Sequence, residues 1–264
     1  MEKEIRYYSD EVRDDFAGTK INVQPLPKGF KFHSMNPLVV IRRFIVYRII
    51  ATPVVHIYIK LIRGVKYVNK KCLKGYKNQG AFIYGNHTTF VCDAFNPTVL
   101  AFPRPAKTMV SEDSTSIKGF RWLLMDAGAL PIPSGLHLMP DFNREIERAI
   151  AKKSWIAIYP EAHIWPYYTG VRNFPAVSFR YPVKLGAPVF SYTLCYTKRK
   201  FFKKPKITVY VDGPFFADKS LPLKQAQQKL RDEVYATMKA RADEHSDYEY
   251  KYSYVYKPKD SETD

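Results

Sequence analysis

Short apolar runs that read as buried strands alternate along this chain with longer amphipathic patterns, and that alternation restricts the fold more than any other feature. "KYVNK", "GAFIYGN" and "PAKTMVS" read as strands, and "MPDFNREIERAIAKK" as a helix with Asp141 or Asn143 as cap candidates. "SWIAIYPEA" is an apolar run stopped by Pro160, which fits a buried strand feeding a loop. "FPAVSFRYPVKLG" follows as a helix, "APVFSYTLCYT" and "KITVYVDGP" as strands, and "PLKQAQQKLRDEVYATMKARADEH" as a long C-terminal helix. Strands separated by helices predict an α/β domain, with a layered, mainly parallel or mixed sheet flanked by helices.

With 264 residues, 46% of them hydrophobic, the chain has enough apolar material for a sizeable core. The α/β pattern spans residues 65–245. Ahead of it, residues 1–36 are polar and interrupted by Pro25, Pro27 and Gly29, which predicts a loosely ordered arm. Behind it, residues 246–264 form a tail with tyrosine at 248, 250, 252, 254 and 256. That tail reads either as an edge strand with an aromatic face or as an interaction strip.

The net charge of +17 is unevenly spread. No Asp or Glu lies between Asp15 and Asp93, a stretch with thirteen Lys or Arg, and a second basic cluster, "KRKFFKKPK", runs from Lys198 to Lys206. Partners with phosphate groups are therefore favoured: nucleic acid, anionic lipid or a phosphorylated cofactor. The segment from Pro37 to Gly64 separates these. Its longest charge-free piece, Ile49 to Ile59, is eleven residues and contains Pro53 and His56, whereas a spanning helix needs about 20 apolar residues. Residues 37–64 thus read as a pair of basic amphipathic helices, separated near Pro53, that lie on a membrane surface. Leu38, Ile41, Phe44 and Ile45 would face the acyl chains, and Arg42, Arg43, Arg48, Lys60 and Arg63 the anionic lipid phosphates. A core-packing helix pair with a solvated basic face is the plainer alternative. The acidic opening "MEKEIRYYSDEVRDD" does not read as a cleavable secretory signal. Cys72, Cys92 and Cys195 have no CxxC spacing and leave an odd one over, which predicts a reducing, intracellular compartment rather than a disulfide framework or a zinc site.

Reactive groups of α/β sheets gather outside the C-terminal ends of the strands. Two apolar strands end in polar clusters: "AFIYG" runs into Asn86, His87 and Asp93, and "WIAIY" into Pro160, Glu161 and His163. If the strands are neighbours, the clusters face one cleft. A neutral imidazole can take a proton from an alcohol near neutral pH, and a carboxylate on its other nitrogen fixes the tautomer. No GxSxG nucleophile elbow is present, so His87 would activate an acceptor hydroxyl directly. On the residues alone, His87 reads either as such a base or as an ordinary polar residue after a strand.

"GNHTTFVCD", "YPEAH" and "GAPVFSYTL", in this order behind a basic amphipathic segment, resemble the glycerolipid acyltransferase family, which includes 1-acylglycerol-3-phosphate acyltransferases; the likeness covers roughly residues 40 to 215. It implies transfer of a fatty acyl group from acyl-CoA or acyl carrier protein to a hydroxyl of a lysophospholipid, in phospholipid synthesis. His87 would be the general base and Asp93 its orienting partner, with Asn86 a substrate contact beside them. Glu161 would help hold the acceptor, and Pro188 would mark the later strand of the site. The thioester is a co-substrate; no cofactor or metal is implied. The protein would be monotopic or peripheral on the cytoplasmic face of a membrane.

The chain departs from the family pattern at three places. The carboxylate comes one residue late, at Asp93, with Cys92 at the usual position; on an ideal helix that residue turns the side chain by about 100°, so a loop, bulge or helix start between Thr88 and Cys92 is needed to restore the aim. Ala162-His163 replaces Gly-Thr, and the arginine that follows in the family is missing. His163 is then a phosphate or hydroxyl contact or a structural histidine, and Arg172 is either the replacement ligand or a lone surface arginine with no catalytic part. In the second motif, "GALPIPSG" lacks the family arginine, leaving Ser134 as a phosphate contact or a plain turn residue. Trp165, Tyr167 and Tyr168 read as acyl-groove walls, headgroup-level rings or core. The rival functions are a nucleic-acid-binding module, a catalytically silent membrane protein, and a thioester or ester hydrolase. No nucleic-acid signature motif is present, and the basic N-terminal region is interleaved with aliphatics rather than stacking aromatics, so no nucleic-acid partner is expected.

Overall fold

Continuous apolar runs become strands covered on both faces. The computed structural model describes residues 3–18, 24–116 and 119–258. Its strands are β1 (Glu4–Tyr8), β2 (Lys66–Val68), β3 (Ala81–Gly85), β4 (Ala106–Val110), β5 (Ala129–Pro131), β6 (Trp155–Ile158), β7 (Val189–Thr197), β8 (Lys206–Phe215) and β9 (Tyr252–Tyr256). One seven-stranded sheet has the order β2-β8-β7-β3-β6-β4-β5. β7, β3, β6, β4 and β5 run parallel, whereas β8 is antiparallel to β7 and β2 follows β8. The mixed, mainly parallel sheet is as the strand–helix alternation predicts.

The helices are α1 (Pro37–Phe44), α2 (Thr52–Ile57), α3 (Phe90–Ala101), α4 (Arg121–Asp126), α5 (Met139–Ala151), α6 (Arg180–Leu185) and α7 (Leu223–His245). Side chains alternate across each strand. From β3, Phe82 and Tyr84 join Phe142 and Ile146 of α5 and Val234 and Met238 of α7 in one core. Ala81 and Ile83 join Val99 and Leu100 of α3, and Val55 and Ile59 of the N-terminal helical run, in the other. The α5 helix starts ahead of both expected caps, with Pro140 in its first turn, where a missing N–H costs nothing.

Residues 37–62 differ from the expected pair of helices. α1 passes through the wider turns of Ile45–Ala51 into α2 and on through Tyr58–Ile62 without leaving helical dihedrals at the junctions. Thr52 N–H reaches back to Tyr47 O, and the Thr52 hydroxyl donates to the same carbonyl at 2.7 Å. Widened turns just before Pro53 relieve the clash of its ring with the carbonyl four residues back, so the proline is accommodated. Arg42 and Arg43 both pair with the buried Asp126 of α4, at 2.6 and 3.0 Å, although the Arg42 side chain stays 45% exposed. Among the described residues, no helix is long and apolar enough to cross a membrane.

The N-terminal arm is also more ordered than its composition predicts. Glu4–Tyr8 pairs in parallel with Tyr252–Tyr256 of the tail, so the tyrosine strip forms an edge strand whose partner comes from the opposite end of the chain. Leu26 and Phe32 are buried in the core beside α5, with Phe32 and Phe142 ring centroids 5.6 Å apart. The parts of arm and tail at 1–2, 19–23 and 259–264 lie outside the described residues.

Candidate active site

Parallel pairing brings the C-terminal ends of β6, β3 and β7 to one edge of the sheet. β3 ends at Gly85, where a Cβ would lie 2.3 Å from the Tyr192 ring, so only glycine allows that tyrosine of β7 to pack there. Asn86 is fully buried. Its amide donates to Leu194 O at 3.1 Å and accepts from Leu194 N at 2.8 Å, stapling the turn to β7. His87 follows, its side chain 24% exposed and its Nδ1 2.8 Å from Asp93 Oδ2.

The late aspartate meets the histidine because the helix starts late. Thr88 and Thr89 are not helical, Thr89 has extended dihedrals, and α3 begins at Phe90. That placement turns Asp93 back over the helix start, where Oδ2 also accepts from Thr88 N and Thr89 N, both at 2.9 Å, and Oδ1 from the Thr89 hydroxyl at 3.0 Å. The carboxylate therefore satisfies helix-start donors and orients the imidazole at once. Cys92 is buried, and burial raises its thiol pKa. Nδ1–H donation to Asp93 leaves His87 Nε2 as an acceptor, and nothing among the described residues bonds to it.

Tyrosines that the sequence did not single out complete the surroundings. Tyr159, directly after β6, stacks on the His87 ring at 4.7 Å and donates to Asp93 O; its hydroxyl accepts from Tyr192. The Tyr196 and Thr88 hydroxyls are 2.6 Å apart. Burial pushes all three phenols well above the ordinary value, keeping them neutral. The signal for them is their place on "YPEA" and on β7, beside the histidine turn.

Glu161 and Arg172 are brought to the histidine from behind, which corrects their expected roles. Both side chains are fully buried, with Arg172 Nη2 3.1 Å from Glu161 Oε2. Oε2 also accepts from His87 N at 3.1 Å, and Oε1 from Arg172 N at 3.0 Å. With both oxygens committed inside the protein, Glu161 braces the His87 turn and offers an acceptor no free atom. Burial raises its carboxyl pKa and the Arg172 charge pulls it back. Arg172 likewise cannot replace the missing phosphate ligand: its guanidinium donates to His163 O and to Glu11 O and lies over the Trp165 ring. Asn86, held on both sides by Leu194, is structural for the same reason.

His163 is partly exposed, its Nδ1 3.7 Å from Asp15 Oδ2. Ser134 donates to Glu112 Oε2 at 2.7 Å in a turn after β5, so it is a turn residue as built. Pro188 accepts from Phe82 N at 3.0 Å and leads into β7. Trp165 is core: it stacks on Tyr254 at 5.0 Å, donates to Asp14 O at 2.8 Å, and so pins the loop after Glu161 beneath β1 and β9. Its backbone N–H donates to His87 O at 3.1 Å, which ties the same loop to the histidine turn. A cavity of about 130 Å³ opens at the start of α3, lined by Tyr58, Arg63, Thr89, Phe90, Cys92 and Tyr167 among others. Arg63 Nε is buried there without a partner. Among the described residues no cluster of His, Cys, Asp or Glu could hold a metal ion.

No family model matches the chain, and no curated protein matches its sequence. Among solved structures, the crystal structure of the 1-acyl-sn-glycerophosphate (LPA) acyltransferase PlsC from Thermotoga maritima is similar, with a TM-score of 0.55 and 17% identity over 78% of this chain and 86% of that one. What the chain shares with that acyltransferase is its fold: a mixed, mostly parallel α/β sheet flanked by helices.

Proposed function

We propose that this protein is an acyltransferase that moves a fatty acyl group from acyl-CoA or acyl carrier protein to the hydroxyl of a lysophospholipid such as 1-acylglycerol-3-phosphate, in phospholipid synthesis. The observation that carries this reading is the His87–Asp93 pair at a partly open sheet edge, with Nε2 unengaged. Nε2 takes the proton of the acceptor hydroxyl as its oxygen attacks the thioester carbonyl. The tetrahedral intermediate then collapses, the C–S bond breaks, and the imidazolium returns the proton to the departing thiolate. Asp93 holds the tautomer and stabilises the cation between the two proton transfers. With Arg172 committed elsewhere, Arg63 in the cavity beside the histidine turn is the cation we assign to an acceptor phosphate.

The same reading places the helical run of residues 37–62 on the cytoplasmic face of a membrane. Leu38, Ile41, Phe44, Ile49, Leu61 and Ile62 are all more than half exposed along it, and Phe90 and Val91 continue the apolar surface to the start of α3. Such a surface would deliver a lipid hydroxyl to His87 without extracting the chain into water.

The test is transfer by the purified protein. Acyl-CoA and acyl carrier protein are offered as donors with a panel of lysolipids in mixed micelles. An O-acylated product that disappears in His87→Ala is expected. No transfer to any acceptor by a folded protein, or thioester loss that ignores the acceptor, would reject the assignment.

A further inference from the structure

The turn between β7 and β8 takes no part in the chemistry above, yet it is the most densely basic surface of the chain. Residues 198–206 hold Lys198, Arg199, Lys200, Lys203, Lys204 and Lys206 with no acidic residue between them. Among the described residues none of these cations forms an ion pair, although arginines and lysines elsewhere commonly do. At the tip stand Phe201 and Phe202, 82% and 65% exposed. A tight connection between strands ordinarily uses small polar residues. Among the described residues the rings meet only cations within the turn, Arg199 at 5.9 Å from the Phe202 ring centre and Lys200 at 5.4 Å from that of Phe201.

Position decides what they could serve. β7 runs parallel to β3, so the turn leaves the sheet at the edge that carries His87. Arg199 Nη2 lies 3.5 Å from where a Cβ on Gly64 would stand, which sets the turn against the end of the N-terminal helical run. There Leu61 and Ile62 are 78% and 68% exposed. Tyr248 donates to Lys203 O at 3.1 Å and ties the turn to the tail. The turn that carries the two rings and the cations therefore abuts the end of the helical run where Leu61 and Ile62 are exposed.

We propose that residues 198–206 form a second membrane contact, selective for anionic lipid. The lysines and Arg199 meet headgroup phosphates while Phe201 and Phe202 enter the interface between them, as aromatic rings favour. Together with the helical run this gives two points of attachment, which fixes the tilt of the His87 edge over the bilayer. The inference rests on the membrane-surface reading given above. A bilayer fits better than an acidic protein or a nucleic acid, because the rings stand at the tip and continue an aliphatic surface rather than lining a track of stacking sites.

Co-sedimentation with vesicles of phosphatidylcholine alone, and with added phosphatidylglycerol, tests it on the full chain. Each surface cation contributes about fivefold to binding of anionic membranes, so Lys203→Gln/Lys204→Gln lowers partition onto anionic vesicles by about 25-fold and leaves neutral vesicles unaffected. Phe201→Ser/Phe202→Ser weakens both. In a Phe202→Trp protein carrying Trp122→Phe, brominated lipid quenches the new emission. Anionic partition unchanged in the lysine variant, absence of quenching, or loss of oligonucleotide or carrier-protein binding with vesicle binding intact would each overturn the proposal. Ile49→Glu/Leu61→Glu separates the two readings. If that change alone abolishes vesicle binding, only the turn is misassigned; if the unaltered protein binds no vesicle, the membrane reading falls with it.

Discussion

Replacing Asp93 by asparagine separates the charge of this residue from its shape. In Asp93→Asn the amide oxygen is held at the Oδ2 position, because His87 Nδ1–H and the Thr88 and Thr89 N–H groups all converge there. The new NH2 then faces the Thr89 hydroxyl, which can accept. The imidazole keeps its tautomer, and what is lost is attraction between a carboxylate and the imidazolium formed in the reaction. For unit charges about 4 Å apart at an effective dielectric of about 20, that attraction is about 4 kcal/mol, or about a thousandfold in rate. The histidine is 24% exposed, so solvent screens part of it. The expected loss lies between about tenfold and about 1,000-fold, in kcat rather than KM, because the cation arises only after the acceptor is bound. Asp93→Ala, by contrast, leaves two buried backbone donors unpaired at about 1–3 kcal/mol each, so it lowers the melting temperature where asparagine does not. Steady-state kinetics and thermal unfolding of both proteins decide the matter. An asparagine protein with unaltered kcat, or one as unstable as the alanine protein, would refute the reasoning.

Glu161→Gln must set an amide NH2 against either Arg172 N–H or the His87 N–H and Arg172 guanidinium, donor facing donor in both rotamers. With the arginine charge left unpaired in the interior, unfolding free energy falls by about 3–5 kcal/mol; a urea midpoint that does not move would rule this out. Lys77 caps the end of α3 at Leu100 O, and burial, with some help from the neighbouring Lys70 charge, lowers its pKa from 10.5 to about 8. Below about 8 the ammonium is charged in both folded and unfolded chains and its full desolvation cost is present. As pH rises from about 8 to 10.5 the folded form is already neutral, so that cost disappears and stability gains. Lysine-selective NMR, assigned with Lys77→Met, should show one resonance titrating near 8, and titration of every lysine near 10.5 would exclude it.

The buried strands were legible because their burial is two-sided. "AFIYG" matches β3 residue for residue and "WIAIY" overruns β6 by one residue, since a run flanked by helices needs no polar face. The offset of Asp93 likewise called for a loop, a bulge or a helix start between Thr88 and Cys92, and α3 supplies the last of these at Phe90. Other features were hidden for definite reasons. Pairing of Glu4–Tyr8 with Tyr252–Tyr256 leaves no local pattern, because the complement of each strand lies at the far end of the chain. Pro53 marks a break by every local rule, yet widened turns carry the helix through it. The family resemblance made Glu161 an acceptor contact and Arg172 a replacement phosphate ligand, whereas in the fold the two charges pair with each other in the interior. Tyr159 lay in plain view, but nothing about a tyrosine after a strand says that it will stack on an imidazole.

The clasp made by β1 and β9 has a consequence for what holds the His87 turn in place. Lys3 and Glu249, which also meet across it, are separated by 246 positions, so it joins the two most distant parts of the described chain and carries the largest entropic cost of closure. Beneath it lie Trp165 and the Glu11 carbonyl that receives Arg172. A polypeptide whose central sheet is complete but whose ends have not met would hold its histidine and aspartate on an unsecured shelf. Arrival of the tail at the head would then be what fixes the loop behind that pair.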